Sequence, residues 1–77
     1  MAFEDINFPV YRKYKNGKTA VKIISRFSFE EKQKIGTKNT LHLIEAKQLP
    51  EMNHIFDLVY NFTNYASEIT ENEYNTF

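Results

Sequence analysis

The sequence predicts an α+β fold, in which a four-stranded, mainly antiparallel sheet of two hairpins is covered on one face by a helix and a short helix follows near the C-terminus. Three observations support this prediction: alternating apolar and polar residues in the first half of the chain, an Asn-Gly pair between two such runs, and an apolar stripe with helical spacing after Pro50. A run of strands followed by helices is typical of this class. The 77 residues are expected to form one domain, 1–77, in which residues 1–7 are either a frayed leader or, from Asp5 to Asn7, an extension of the first strand.

The first hairpin is predicted from Asn16-Gly17, because Asn-Gly between two alternating runs favours a type I′ turn. Counting outward from this turn pairs Tyr11 with Lys22 and Arg12 with Val21. One side of the ribbon, the basic face, carries Tyr11, Lys13, Lys15, Lys18 and Lys22. The other side is apolar except for Arg12, whose aliphatic stem is expected to pack while its charged head reaches an edge.

The second hairpin is less regular in its pattern. A third strand is expected over 27–35, followed by a four-residue turn at 36–39 and a fourth strand from Thr40 to Lys47. The alternation changes between Leu43 and Ile44, which indicates either a bulge or a strand that is buried on both faces.

The second half of the chain predicts two helices. Pro50 is favoured in the first turn of a helix, and the apolar stripe extends this helix to Phe62. Thr70 and Glu73 have the spacing of a capping box, which predicts a short helix from Glu71, packed at an edge of the sheet. Residues 66–69 between these helices are expected to form either a short strand or an extended connection.

Twelve residues are predicted to form the core, with Tyr14 at its border. They are the apolar residues that face inward in these assignments: Phe8, Val10, Val21, Ile23, Phe27, Phe29, Leu41, Leu43, Met52, Ile55, Phe56 and Val59.

Charge is unevenly distributed along the chain. All ten basic residues lie between Arg12 and Lys47, where three acids leave a net charge of +7, and residues 48–77 contain five acids and no Lys or Arg. Such asymmetry carries information about surfaces and partners but not about fold. The predicted arrangement is polarised, with an uncovered basic sheet face on one side and an acidic helical layer on the other.

The basic face is the candidate binding site. Lysines that neutralise phosphates beside an aromatic ring that stacks on bases would suit single-stranded nucleic acid. Lysines on strands also protect sheets from edge-to-edge association, so the same pattern has a purely structural interpretation. The acidic C-terminal part either docks on a basic partner or on another copy, or forms a solvated face.

No catalytic, metal-binding or cofactor-binding residues are predicted. The two histidines, His42 and His54, are isolated, and the chain has no cysteine to complete a zinc site. Glu30 and Glu31 point to opposite faces of a strand, so they cannot act as a catalytic pair. An inward Glu31 is expected to pair with Arg12 or with a tyrosine hydroxyl.

The sequence therefore predicts a non-catalytic protein-interaction or regulatory module, whose partner is another protein or a second copy bound through an exposed strand edge. The alternative is single-stranded nucleic-acid binding through the basic face. Neither a membrane nor a small-molecule substrate is expected as a partner. The absence of a signal peptide, of a long apolar run and of cysteine predicts a cytoplasmic location.

Overall fold

The computed structural model describes residues 6–77. Residues 1–5, for which the sequence predicts a frayed leader, lie outside the described part of the chain. The α+β class is confirmed. Across residues 6–77, five strands and two helices follow one another as β1 Val10–Tyr14, β2 Thr19–Ser25, β3 Ser28–Ile35, β4 Lys38–Glu45, α1 Leu49–Tyr60, β5 Ala66–Glu68 and α2 Glu71–Asn75.

The sheet has five strands rather than four, in the spatial order β4-β3-β2-β1-β5, and all neighbours are antiparallel. The added strand is β5. It lies in the segment for which the sequence predicted either a short strand or an extended connection. Helix α1 carries the chain across the sheet, from β4 at one edge to β5 at the other. Strand β1 therefore has a neighbour on each side, and β4 pairs with β3 alone in the part of the chain that the structure describes.

The predicted register of the first hairpin is confirmed, with Tyr11 opposite Lys22 and Arg12 opposite Val21. The type I′ turn is wrong, because it would require positive φ at both Asn16 and Gly17, and only Gly17 has it, at 74°. The side chain of Asn16 explains the difference. Its Oδ1 accepts a hydrogen bond of 2.8 Å from the Lys18 backbone amide and holds a longer turn.

The second hairpin is tighter than predicted. Ile35 lies directly opposite Lys38, so Gly36 and Thr37 alone form the turn, and β4 begins two residues before Thr40. Gly36 has φ of 63°, and glycine with positive φ at the first of two turn positions is the pattern of a type II′ turn. The register of β3 and β4 is continuous, so β4 has no bulge; the register shift lies in β2, between Ile23 and Ser25.

Helix α1 packs on one face of the sheet, which we call the core face and define by Val21, Ile23 and Phe29. These three residues are buried together with Ile55 and Val59 of α1, as predicted. Phe8, Val10, Met52 and Tyr14 pack against this cluster as partly buried residues, and Phe56 is half-buried. Buried hydrophobic residues that the prediction missed are Ala20, Ala46, Leu58, Ala66 and Tyr74.

The prediction of Phe27, Leu41 and Leu43 as core residues is wrong, because all three are exposed. Phe27 lies in the two-residue turn between β2 and β3. Leu41 and Leu43 point away from the core face, whereas Ile44 packs on it, which accounts for the change in alternation at Leu43. Burial on both faces of β4 is therefore excluded along with the bulge.

The short C-terminal helix α2 begins at Glu71 as predicted. The Glu73 backbone amide donates to Thr70 Oγ1 over 3.1 Å, and Glu73 Oε1 accepts from the Thr70 amide over 2.9 Å, which completes the capping box. Its placement at an edge is wrong, because α2 lies across the basic face, over β1 and β2. The molecule is therefore three-layered, and the expected uncovered basic sheet face is not present.

Candidate protein-interaction site

The middle of the basic face is covered by Tyr74, the buried residue of α2. Its ring lies 5.4 Å from that of Tyr11, and its hydroxyl donates a 2.9 Å hydrogen bond to Glu30 Oε1. Lys32 Nζ donates to the Tyr74 carbonyl over 2.9 Å and sits 4.3 Å from the ring centroid. The pKa of Tyr74 is raised well above its ordinary value, mainly by burial and secondly by the hydrogen bond to Glu30.

The end of the C-terminal segment covers a second part of this face. The Phe77 ring lies 4.4 Å from Lys34 Nζ and 5.9 Å from Lys13 Nζ, both within cation–π range. Asn39 Nδ2 donates to the Phe77 carbonyl oxygen over 3.2 Å. Of the five residues proposed for binding, Tyr11 and Lys13 are therefore already engaged by the protein's own C-terminal segment.

The other three proposed residues lie apart from one another. Lys22 is half-buried, between Tyr11 and Glu30 on the neighbouring strands. Lys15 and Lys18 are exposed in the turn of the first hairpin.

Exposed lysines gather where the two hairpins end, a region we call the basic end and define by Lys15, Lys18, Lys34 and Lys38. The Lys34 amide donates to the Lys18 carbonyl over 2.8 Å, which holds the two hairpin ends together. The salt bridge formed within residues 6–77 joins Arg12 to Glu68. None of the four lysines of the basic end therefore forms a salt bridge with a carboxylate of these residues.

Arg12 is buried and has a structural role at the end of α1. Its Nε donates to the Leu58 carbonyl over 2.9 Å, its Nη2 donates to the Val59 carbonyl over 3.4 Å, and its Nη1 lies 3.9 Å from Glu68 Oε2. The guanidinium also lies 4.0 Å from the Phe62 ring centroid. Burial lowers the pKa of Arg12, and the charge of Glu68 opposes that effect. The last turn of α1 has no basic residue, so Arg12 supplies the cation that favours a helix C-terminus.

A small polar cluster lies on the core face beside α1. The Tyr14 hydroxyl is 3.3 Å from His54 Nε2, and the His54 ring packs 5.5 Å from that of Phe29. Burial, with the nearby charge of Glu31, raises the pKa of Tyr14 to about 12. The side-chain partners of Arg12 and of the Tyr14 hydroxyl are Glu68 and His54, so neither group forms the pair with Glu31 that the sequence predicted. Among residues 6–77 no group of three His, Cys, Asp or Glu side chains is placed to hold a metal ion.

Strand β4 presents an open edge, because β3 is its single neighbour among residues 6–77. The direction of its backbone groups follows from two hydrogen bonds. The Ala46 amide donates to the Phe27 carbonyl, on the β3 side, and the Lys34 amide of β3 donates away from β4, to Lys18. Since antiparallel strands alternate between bonded and non-bonded pairs, the odd-numbered residues of β4 direct their N–H and C=O groups outward. They are Asn39, Leu41, Leu43 and Glu45.

The same edge exposes apolar side chains. Leu41 and Leu43 are 59% and 66% exposed, on the side of the sheet that carries the basic face, and neither helix covers them. Natural proteins protect open edges with lysine, proline or bulges. Residues 40–44, Thr-Leu-His-Leu-Ile, contain none of these features. The change in alternation at Leu43 is the one feature of the sequence that indicates this edge. The sequence analysis nevertheless predicted Leu41 and Leu43 to be core residues.

Comparison of this chain with protein-family models, with curated proteins and with solved structures finds no match. The interpretation of the site therefore depends on its geometry. Neither helix in the described part of the chain is long and apolar enough to cross a membrane.

Proposed function

We propose that this protein is a non-catalytic protein-interaction module that binds an extended segment of its partner along β4 by strand addition. The observation that carries the proposal is the eight-residue open edge, on which two of the residues with outward backbone groups, Leu41 and Leu43, are also exposed leucines. In this mode, main-chain hydrogen bonds supply affinity and alternate side chains supply specificity.

The two edges of the sheet are not equivalent for this purpose. The β5 edge has only three residues, Ala66–Glu68, and it is followed at once by the capping box of α2. Strand β4 offers four outward residues, enough for a partner strand of ordinary length. This difference supports β4 as the binding edge.

A displayed library of random peptides, selected on the immobilised protein, tests the proposal and does not require an identified partner. We expect enriched peptides with alternating apolar residues, whose binding slows hydrogen exchange at the amides of Leu41, Leu43 and Glu45. Leu43→Pro should abolish this binding, because it removes an outward donor and leaves the bonds to β3 in place. The matched control is Leu49→Lys, since Leu49 is also an exposed leucine, at 71%, but lies on α1. A selection that enriches no peptide, or peptides that protect amides elsewhere, would refute strand addition at β4.

A second candidate function is single-stranded nucleic-acid binding, and the observation that favours it is the basic end. Four exposed lysines without a carboxylate partner among residues 6–77 form a suitable surface for phosphates. Base stacking on Tyr11, as predicted from the sequence, would require α2 to leave the basic face. Fluorescence anisotropy with a labelled oligonucleotide tests this candidate. Affinity should fall steeply with salt and with Lys15→Glu or Lys18→Glu, but not with Lys47→Glu, which lies beyond β4; no binding at low salt would eliminate it.

A further inference from the structure

We propose that the strand added along β4 is the β4 of a second copy of this chain, antiparallel to the first, with a two-fold axis at His42. This inference rests on the proposed function, because it uses the same open edge and names its occupant. A two-fold interface needs a surface that is complementary to itself. The backbone and the side chains of β4 both satisfy that condition.

The backbone restricts the pairing first. Only the odd-numbered residues of β4 have outward donors and acceptors, so bonded pairs must join odd residues of one copy to odd residues of the other. Three registers meet this condition and place at least three of the four outward residues of β4 in bonded pairs. They place the two-fold axis at Leu41, at His42 or at Leu43.

The side chains then select one register. An axis at Leu41 would place Lys38 opposite Ile44, and an axis at Leu43 would place Glu45 opposite Leu41. An axis at His42 places Leu41 of each copy opposite Leu43 of the other. The four leucines then form one cluster, and mutual burial removes exposed apolar surface from both copies.

The remaining pairs in this register are also compatible. Asn39 faces Glu45, an amide donor beside a carboxylate, and Thr40 faces Ile44 on the core-face side. Lys38 falls opposite Ala46, so no two like charges on β4 face each other directly. His42 meets His42 of the second copy as a non-bonded pair, in which Cα atoms lie about 4.5 Å apart.

Neither helix obstructs this approach. Helix α1 packs on the core face against β2, and α2 packs on the basic face over β1 and β2. Both lie inward of β4, and the side chains of β4 are mostly exposed. Two copies can therefore join into one continuous sheet without moving any element that the structure describes.

Sedimentation velocity of the full chain, from about 5 to about 500 µM, tests the self-pairing in the affinity range of weak dimers. We expect a dimer that forms with increasing concentration, and its loss in Leu43→Lys. Leu49→Lys is the matched control and should dimerise like the wild type. A wild type that remains monomeric over the whole range, or a Leu43→Lys variant that is folded by circular dichroism and still dimerises, would overturn the proposal.

Cysteine cross-linking tests the register, since the natural chain has no cysteine. His42→Cys should form an intermolecular disulfide under mild oxidation, because the paired Cα atoms lie well within the limit of about 7 Å. Leu41→Cys and Leu43→Cys should not form one. In this register residue 41 of one copy faces residue 43 of the other, so the Cα atoms of the two introduced cysteines would lie about 8 Å apart. Preferential cross-linking at 41 or 43 would overturn the axis at His42.

The failure of this inference and of the proposed function can be told apart. A monomeric chain whose Leu41, Leu43 and Glu45 amides are still protected by selected peptides would refute self-pairing and retain strand addition. A monomeric chain that selects no peptide would refute both.

Discussion

Replacing Arg12 tests how the sheet and α1 hold together. Arg12→Met keeps an unbranched apolar stem but removes the guanidinium, which leaves the Leu58 and Val59 carbonyls without their donor. Loss of a hydrogen bond to a charged group costs about 1.5–3 kcal/mol. A cation at a helix C-terminus contributes up to about 2 kcal/mol when partly buried. Because these effects overlap and the buried charge is itself desolvated, we expect a net loss of about 3 kcal/mol.

A loss of this size is a large part of the total, since a domain of this length has a free energy of unfolding of about 4–12 kcal/mol. Urea denaturation followed by far-ultraviolet circular dichroism measures it, since the chain has no tryptophan. Glu68→Gln is the control. It should cost less than about 0.5 kcal/mol, because Glu68 is 78% exposed and lies 3.9 Å from Arg12. A loss below about 1 kcal/mol in Arg12→Met, or an equal loss in Glu68→Gln, would refute the capping role.

Three further variants probe other parts of the fold. Tyr74→Phe removes the hydrogen bond to Glu30 and should cost about 1 kcal/mol in urea denaturation; an unchanged midpoint would show that the ring alone holds α2. Gly36→Ala forces alanine into positive φ and should cost about 1–2 kcal/mol by thermal unfolding; a neutral result would contradict the type II′ turn. For Tyr14, the folded pKa of about 12 exceeds the unfolded value of about 10, so its contribution is complete below pH ~10 and is lost as pH rises towards ~12. Urea midpoints measured across this window should therefore fall less steeply in Tyr14→Phe than in the wild type, and parallel curves would contradict the shift.

The first hairpin shows what the sequence predicted well. Its register follows from strict alternation, because a slip of one residue would exchange the basic and apolar sides of both strands. The turn that closes it was predicted wrongly. Asn16 has two ways to stabilise a turn, by positive φ or by a side-chain hydrogen bond, and alternation of the flanking strands does not distinguish them.

Strand β4 and helix α2 show where sequence patterns are insufficient. Apolar alternation identifies a strand but not whether another element covers each of its faces. Leu41 and Leu43 were therefore predicted to be core residues, although neither helix covers their side of β4. The charge pattern likewise identified basic and acidic segments but not that one would fold onto the other. Tyr74 decides this outcome, because its ring, hydroxyl and carbonyl each contact the basic face, and no local pattern around Tyr74 specifies that face.

The position of β1 in the sheet has a consequence for the order in which the chain folds. One neighbour, β2, follows after a short loop, whereas the other, β5, is made near the far end of the sequence. A nascent chain that has not yet released residues 66–68 from the ribosome can form the β1–β4 meander, but its second edge is then the five-residue β1 instead of the three-residue β5. Non-local closure of this kind slows folding and prolongs the exposure of unpaired strands. The release of β5 therefore determines how long β1 competes with β4 as a site for association between chains.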